Sequence, residues 1–447
     1  MSEKQSSPLC PALNRAFWAI LLMALTVRLL VWTGGVGNPG LFFSPDSADY
    51  VRLGENLLET GRYGTEQQPE IFRVPGYPLF LSLTFAISKN PAFVCLLQVV
   101  MGVAVCALVW RLAHRLFGRK YAIPAAAFQS VSVVSIVYSC RVLSETLFTL
   151  VFLAQLNLLY DIYDSRMSGE NAAPATMGGI LMGALAYLRA IILPIAFLPV
   201  LLLCTRKQWR TAAIFAAATL LTILPWYLRN ATRADYLHFS SVGAINLYRY
   251  NAAALISRRK KETFGKVQEG IDRELALRET QAQTARYAMR KGRKVILQYP
   301  IQYAWLHLKT VPTNLLPAAG DLFRAWGVEI GGSGTLHVLR TRGLLAAIRN
   351  YFGGKWGWLV LALPLIILLG VSYVLGLTGA IAGLIRESDR IFIVFLGLLL
   401  FYFLVLPGAA AHPRFRVPVA PLISVFAGYG MWCMIEKIRR KRQTDKD

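Results

Sequence analysis

The segment Ser44-Pro45-Asp46-Ser47-Ala48-Asp49-Tyr50 sets two carboxylates three positions apart, just beyond the first long apolar run. Carboxylates are costly at the edge of a bilayer, so a pair placed there points to function. A carboxylate can take the proton of an attacking hydroxyl, and guanidiniums can hold and neutralise a departing phosphate. The chain offers such partners in scattered polar segments. Glu70-Ile71-Phe72-Arg73-Val74-Pro75-Gly76-Tyr77-Pro78 carries Glu70 and Arg73, and Tyr138-Ser139-Cys140-Arg141-Val142-Leu143-Ser144-Glu145 carries Arg141 and Glu145. Arg189 separates two short apolar runs, Pro225-Trp226-Tyr227-Leu228-Arg229-Asn230 ends another, and His412-Pro413-Arg414-Phe415-Arg416 precedes the last.

Each of these residues also has a plainer role. If a helix begins at Ser44-Pro45, Pro45 takes the first helical position and Ser44 caps it. Asp46 and Asp49 then share a face, where acids also oppose the helix dipole, an explanation that suits Asp49 as well as catalysis does. Arg73 can meet a phosphate, Glu70 or headgroups. Pro75, Gly76 and Pro78 suit a turn, while Trp226 and Tyr227 suit interface anchoring. Glu145 lies near the end of an apolar helix, and Arg141, four residues earlier, offers it a structural ion pair. Arg414 and Arg416 fit phosphate or lipid headgroups. His412 has no companion His or Cys at ligand spacing, so no metal site or cofactor is expected; a divalent ion bridging acid and phosphate stays open.

Composition says what must position these groups. The chain has 447 residues, 55% hydrophobic and only 16% charged, and its long unbroken apolar runs read as helical spans rather than barrel strands. The first, about Ala16 to Thr33, lacks a small-residue cleavage site and is expected to stay as a span; Arg28, near its outer third, is the main intramembrane charge that speaks for a transporter, though it could snorkel. Net charge is +24, from 48 Lys+Arg against 24 Asp+Glu. Basic clusters in short loops account for this better than nucleic acid does, and they orient the chain. Lys437-Ile438-Arg439-Arg440-Lys441-Arg442 sets the C-terminus in the cytoplasm; Arg111, His114, Arg115, Arg119 and Lys120, then Arg206, Lys207 and Arg210, then Arg386 and Arg390 share that side. Six cysteines (Cys10, Cys95, Cys106, Cys140, Cys204, Cys433) form no CxxC pair or disulfide framework.

These anchors predict an all-α polytopic membrane protein of about ten spans with both termini cytoplasmic. Gly76 to Ile87 is too short to cross and reads as a juxtamembrane helix on the outer surface. Three regions follow: 1–228, a transmembrane module with a catalytic first outer loop at 34–91; 229–355, a helical extracytoplasmic loop; and 356–447, the last spans and a basic tail. Every acid and guanidinium singled out above then maps to one membrane face, whereas the other face has no GxxxxGK or GxGxxG element.

Taken in order, Pro45-Asp46-Ser47 with Tyr50, Arg73-Val74-Pro75-Gly76-Tyr77-Pro78, Leu143-Ser144-Glu145-Thr146-Leu147-Phe148, Pro225-Trp226-Tyr227-Leu228-Arg229-Asn230, Asn246-Leu247-Tyr248 and Arg414-Phe415-Arg416-Val417-Pro418 resemble the GT-C fold glycosyltransferases. The resemblance is to the branch of protein O-mannosyltransferases and lipid A aminoarabinose transferases. It implies a GT-C bundle, a polyprenyl-phosphate sugar donor and an inverting single displacement on the outer (periplasmic) face of the inner or plasma membrane. The acid of the first outer loop, Asp46 here, would be the base, with Asp49 and Glu145 as further catalytic acids. Where the aminoarabinose transferases carry a Glu-Lys pair, this chain has Glu70 and Arg73 apart. Arg73, Arg141, Arg189, Arg229, Arg414 and Arg416 would bind the donor phosphate. Tyr50, Glu70, Tyr77, Asn246, Tyr248 and His412 would bind substrate. The acceptor is a lipid, glycan or protein hydroxyl. The alternatives are a lipid-linked sugar transporter and a glycan ligase using a diphosphate donor. A transporter of inverted repeats should show internal symmetry, and none is evident.

Overall fold

The apolar runs fold as helices because only a helix satisfies its own backbone N–H and C=O groups without water. The computed structural model describes residues 15–164, 172–330, 335–354 and 356–444; Cys10 lies outside them. Among the described residues six helices are long and apolar enough to cross a membrane: Arg15–Val36, Pro91–Phe117, Glu145–Asp164, Trp209–Ala234, Trp356–Arg386 and Pro413–Gln443. Arg119–Ser130 and Val133–Ser139, bent by 56°, together make a seventh candidate. The other expected spans fall on shorter apolar helices, Ala172–Leu188, Ala190–Thr205 and Arg390–Val405. The protein is an integral membrane protein, all-helical among the described residues.

Gly76–Phe85 is a helix of 10 residues, about 15 Å long and so half the depth of a bilayer core. Gly76 abuts the 172–188 helix so closely that a Cβ would lie 2.7 Å from the Tyr187 carbonyl oxygen. The polar region after residue 229 also folds as helices, chiefly Ala253–Lys260, Phe264–Ala276, Gln281–Gln298 and Pro300–Thr310. Thr263 and Thr280 cap two of them through their side chains. Tyr248, Ala252, Val267, Ile271 and Ala288 are among the residues that form their shared core.

Small residues let the spans approach closely where lipid supplies no hydrophobic drive. A Cβ on Gly379 would sit 1.9 Å from the Phe426 carbonyl oxygen, so helices 356–386 and 420–444 cross backbone to backbone. Arg28 departs from expectation. It does not snorkel but is fully buried, donating to the carbonyls of Ala24 at 2.9 Å and Ser130 at 3.3 Å. Close packing of helix 15–36 on the bent pair closes the route to the surface and gives the guanidinium carbonyls instead.

Charge gathers in two layers. Glu145 and Asp161 stand at opposite ends of one helix, about 24 Å apart at the α-helical rise. Around Asp161 lie Arg111 at 2.5 Å and Arg115 at 2.9 Å; Arg206 pairs with Asp389 at 3.0 Å and Lys120 with Glu436 at 2.8 Å. Around Glu145 lie the groups of the candidate site.

Candidate active site

Asp46 is reached by a chain entering from the first span through a short 3-10 turn, Pro39–Phe42. The helix that follows is Ser47–Thr60, not one beginning at Ser44-Pro45. Ser47 Oγ accepts the Ser44 N–H at 2.9 Å and donates to the Val142 carbonyl at 2.8 Å, which fixes the start of the helix later than expected. Asp46 therefore occupies the N-cap position, yet its side chain makes no capping bond. Both its oxygens go elsewhere: Oδ1 to Arg73 Nη2 at 2.8 Å and Oδ2 to Arg414 Nη2 at 2.7 Å.

Arg73 is held from several directions. Its Nη2 also reaches Asp49 Oδ2 at 3.1 Å, and its guanidinium lies 4.9 Å from the ring centres of both Tyr50 and Phe72. Glu70, nearly fully buried, accepts the backbone N–H groups of Phe72 at 2.7 Å and Arg73 at 3.1 Å, shaping the turn that presents Arg73. Arg229 donates to the carbonyls of Glu70 at 2.6 Å and Tyr63 at 2.8 Å, clamping the same loop from behind. Arg414 opens a 3-10 turn, Pro413–Val419, whose first N–H is capped by His412 Nδ1 at 3.3 Å.

Burial opposes ionisation of Asp46, but the guanidiniums of Arg414 and Arg73 outweigh it and hold the carboxyl down at about 2. For Arg73 burial likewise opposes the charge, but Tyr50, Asp46 and Asp49 outweigh it and raise its pKa above the ordinary arginine value. The carboxylate is fully ionised and spoken for.

These groups open into a cavity of about 1260 Å³. Of the residues expected from sequence, Asp46, Asp49, Tyr50, Glu70, Arg73, Arg141, Glu145, Arg189, Asn246, His412 and Arg414 line it. Glu145 pairs there with Arg189, Oε1 to Nη1 at 2.7 Å, rather than with the helical neighbour Arg141. The reason is local. Helix 145–164 begins only at Glu145, so Arg141 lies outside its first turn and donates instead to the carbonyls of Leu41 and Phe43. Glu145 Oε2 is buried and accepts no hydrogen bond among the described residues.

Four expected residues lie off the cavity wall. Arg229 is the loop clamp. Arg416 is buried and donates to the carbonyls of Asn314 at 2.8 Å and Leu316 at 3.1 Å and to the Tyr373 hydroxyl at 2.5 Å. Tyr77 is fully buried and donates to Gln98 Oε1 at 3.1 Å. Tyr248 donates to Glu274 Oε2 at 2.8 Å within the helical region after residue 229.

The cavity also has walls that the sequence analysis did not single out. Asp321 lines it, taking the Tyr138 hydroxyl at 3.0 Å and Arg324 at 3.1 Å. An acid inside the apolar stretch Leu315–Ala325 was the available signal. Arg249 and Asp272, paired at 2.7 Å, and Arg278 line the far end; nothing in their spacing distinguishes them from a solvated helix face. Among the described residues no group of three or more His, Cys, Asp or Glu is arranged to hold a metal ion.

Comparison with known proteins agrees with this architecture. Residues 68–228 match the family model of the dolichyl-phosphate-mannose-protein mannosyltransferases. No curated protein matches the chain by sequence. Among solved structures, the chain is similar to the oligosaccharyltransferase AglB from Archaeoglobus fulgidus in complex with an inhibitory peptide and a dolichol-phosphate (14% identity, TM-score 0.53, covering 97% of this chain and 52% of that one). It is also similar to an Archaeoglobus fulgidus oligosaccharyltransferase tethered with an acceptor peptide (13% identity, TM-score 0.52, 95% and 50%). A more distant likeness is to ArnT from Cupriavidus metallidurans bound to undecaprenyl phosphate (15% identity, TM-score 0.40, 94% and 78%). The chain thus spans about half the length of the archaeal proteins it matches.

Fold and family match define the class: an integral membrane protein with the GT-C fold of membrane glycosyltransferases. Within that class, residues 68–228 match the model of the dolichyl-phosphate-mannose-protein mannosyltransferases. That matched segment holds Arg73, Glu145 and Arg189, while Asp46 and Arg414 reach the same cavity from outside it.

Proposed function

We propose that the protein is a glycosyltransferase that moves a sugar from a polyprenyl-phosphate donor to an acceptor hydroxyl on the outer face of the membrane. The observation that carries this is Asp46, a carboxylate with both oxygens held by guanidiniums at the wall of a large cavity that charged side chains from several segments share. Acid and cations stand where one can take a proton and the others can take a phosphate.

In the resting protein Asp46 is a poor base, because Arg73 and Arg414 stabilise its charge. A donor phosphate entering the cavity competes for the same two guanidiniums. As they turn to the phosphate, Asp46 loses part of its ion pairing and its proton affinity rises. The base is thereby armed only when the donor is bound. The acceptor hydroxyl then gives its proton to Asp46 while its oxygen bonds to the anomeric carbon from the face opposite the phosphate. The bond from that carbon to the phosphate oxygen breaks, and polyprenyl phosphate leaves with its charge on Arg73, Arg414 and Arg189. Inversion follows from the single displacement.

Glu145 keeps Arg189 in place, and Glu70 and Arg229 do the same for Arg73 through the loop backbone. Asp49 holds Arg73 from its second side and so limits how far it can swing. Because the far layer of charge around Asp161 carries the basic clusters, that side is the cytoplasmic one by the positive-inside rule, which leaves the cavity outside with both termini in. The test is purified protein incubated with a panel of polyprenyl-phosphate sugars and assayed for released polyprenyl phosphate and inverted product. Release with inversion is expected; retention of anomeric configuration, or no release from any donor of the panel, overturns the proposal.

A further inference from the structure

The cavity does not end at Asp46. It continues between helices Phe264–Ala276 and Gln281–Gln298, where Asp272, Arg278, Glu279, Thr280 and Thr284 line it. Ligand pockets for one drug-sized molecule run to roughly 300–1,000 Å³. At about 1260 Å³ this one has room for a donor head and a separate acceptor arm.

Arg278 and Glu279 belong to two hollows at once. They also line a neighbouring hollow of about 540 Å³ together with Gln283, Arg286, Tyr287 and Arg290. The Tyr287 ring is its centrepiece, with the Arg278 guanidinium 4.2 Å from the ring centre, Arg290 at 5.9 Å and the Lys291 ammonium at 5.4 Å. Tyr287 is fixed by its hydroxyl, which donates to Glu274 Oε2 at 2.9 Å. Arg286 is already neutralised by Asp235 at 2.6 Å.

The contrast with the catalytic end decides the assignment. There Arg73, Arg189, Arg324 and Arg414 are each ion-paired, and Arg141 is held by the carbonyls of Leu41 and Phe43. Arg278 and Arg290 make no ion pair among the described residues, and Glu279 is the acid that shares their wall. Three cations around one aromatic ring repel each other in the free protein, and the arrangement is relieved when an anion joins them. An aromatic face beside them suits a sugar ring or other flat apolar face of the same ligand.

We infer that this shelf is the distal acceptor subsite and that the acceptor carries a negative charge, a phosphate or carboxylate, which rests on Arg278 and Arg290 while its hydroxyl lies at Asp46. This rests on the glycosyl-transfer proposal and adds the chemical class of the acceptor. The shelf takes no part in donor cleavage. Its role is to bind and register the acceptor.

The test is equilibrium binding of glucose 6-phosphate and of glucose to the full-length protein in neutral-lipid nanodiscs, with the double variant R278A/R290A beside the wild type. A preference of about tenfold or more for the phosphorylated sugar in the wild type, lost in the double variant, is expected. Equal binding of the two sugars by the wild type, or a preference that survives the double substitution, overturns the inference. Repeating the binding in phosphatidylglycerol nanodiscs names the source of the anion: competition points to a lipid headgroup and no competition to a soluble acceptor. The thermal unfolding temperature of R278A/R290A, measured in the same nanodiscs, should stay at the wild-type value, which reports that the variant is folded. Undiminished transfer by Asp46→Asn would instead sink the transferase proposal and leave the shelf untouched.

Discussion

Asp46 Oδ2 and Arg414 Nη2, from opposite ends of the chain, meet at 2.7 Å, and the same carboxylate holds Arg73 through its other oxygen. One carboxylate thus sits between two cations that the proposed reaction needs for something else. That arrangement makes the base and the phosphate site competitors for the same guanidiniums.

The first consequence is counterintuitive. Asp46→Asn removes the anion that occupies Arg73 and Arg414, so polyprenyl phosphate should bind the variant at least as tightly as the wild type. The expected gain is up to about tenfold, the scale of one charge-assisted hydrogen bond. Equilibrium binding in nanodiscs measures it. Weaker binding in the variant contradicts competition for the arginines.

Removing the cations should act the other way. Arg414→Ala and Arg73→Ala should each weaken polyprenyl-phosphate binding by about 10- to 100-fold. Lys at either position keeps the charge but not the two-pronged fork, and should recover only part of the loss. Arg416→Ala, whose guanidinium is committed to Asn314, Leu316 and Tyr373, should lower thermal stability without this selective effect on the donor.

pH separates the two states of the carboxylate. In the resting protein Asp46 sits at about 2, below the ordinary carboxylate value of about 3.9. A depressed carboxylate contributes stability that is fully present above its unfolded value and is lost as pH falls through its folded one. The wild type should therefore lose stability between about pH 4 and pH 2 more steeply than Asp46→Asn does. With donor bound the arginines are shared and the pKa rises, so the acid limb of kcat at saturating donor should lie near about pH 3–5. A kcat that stays flat down to the onset of unfolding would remove Asp46 as the base.

The Glu145–Arg189 pair is a test of architecture. Glu145 is 3% exposed, so Arg189→Ala leaves a carboxylate nearly without water or partner. The cost should be about 3–5 kcal/mol of stability, seen as a lowered unfolding temperature. Replacing both residues by Gln should restore much of that stability while donor turnover stays low. Recovery of turnover together with stability would make the pair purely structural.

Much of this layout was legible in the sequence. Apolar run lengths locate the helices and basic clusters orient them, and the Gly76 segment is too short to cross, as Gly76–Phe85 is. Acids and arginines in separate polar segments were expected on one face, and eleven of fifteen named residues line one cavity. What the sequence concealed was direction. Arg229, Arg416, Tyr77 and Tyr248 differ from their neighbours only in which way tertiary packing turns them. The start of the Asp46 helix shifted because Ser47, not Ser44, found the bonding partners, one of them the distant Val142 carbonyl. Glu145 chose Arg189 over Arg141 for a reason equally remote, since Arg141 was drawn to the carbonyls of Leu41 and Phe43. Asp272 and Arg249 join the cavity only because the helices after residue 229 fold over it.

The most direct measurement is single-turnover transfer by Asp46→Asn with saturating polyprenyl-phosphate sugar and acceptor, alongside its donor affinity. The account predicts turnover lower by about 10²- to 10⁴-fold with donor binding intact or tighter. Wild-type turnover in that variant would contradict it.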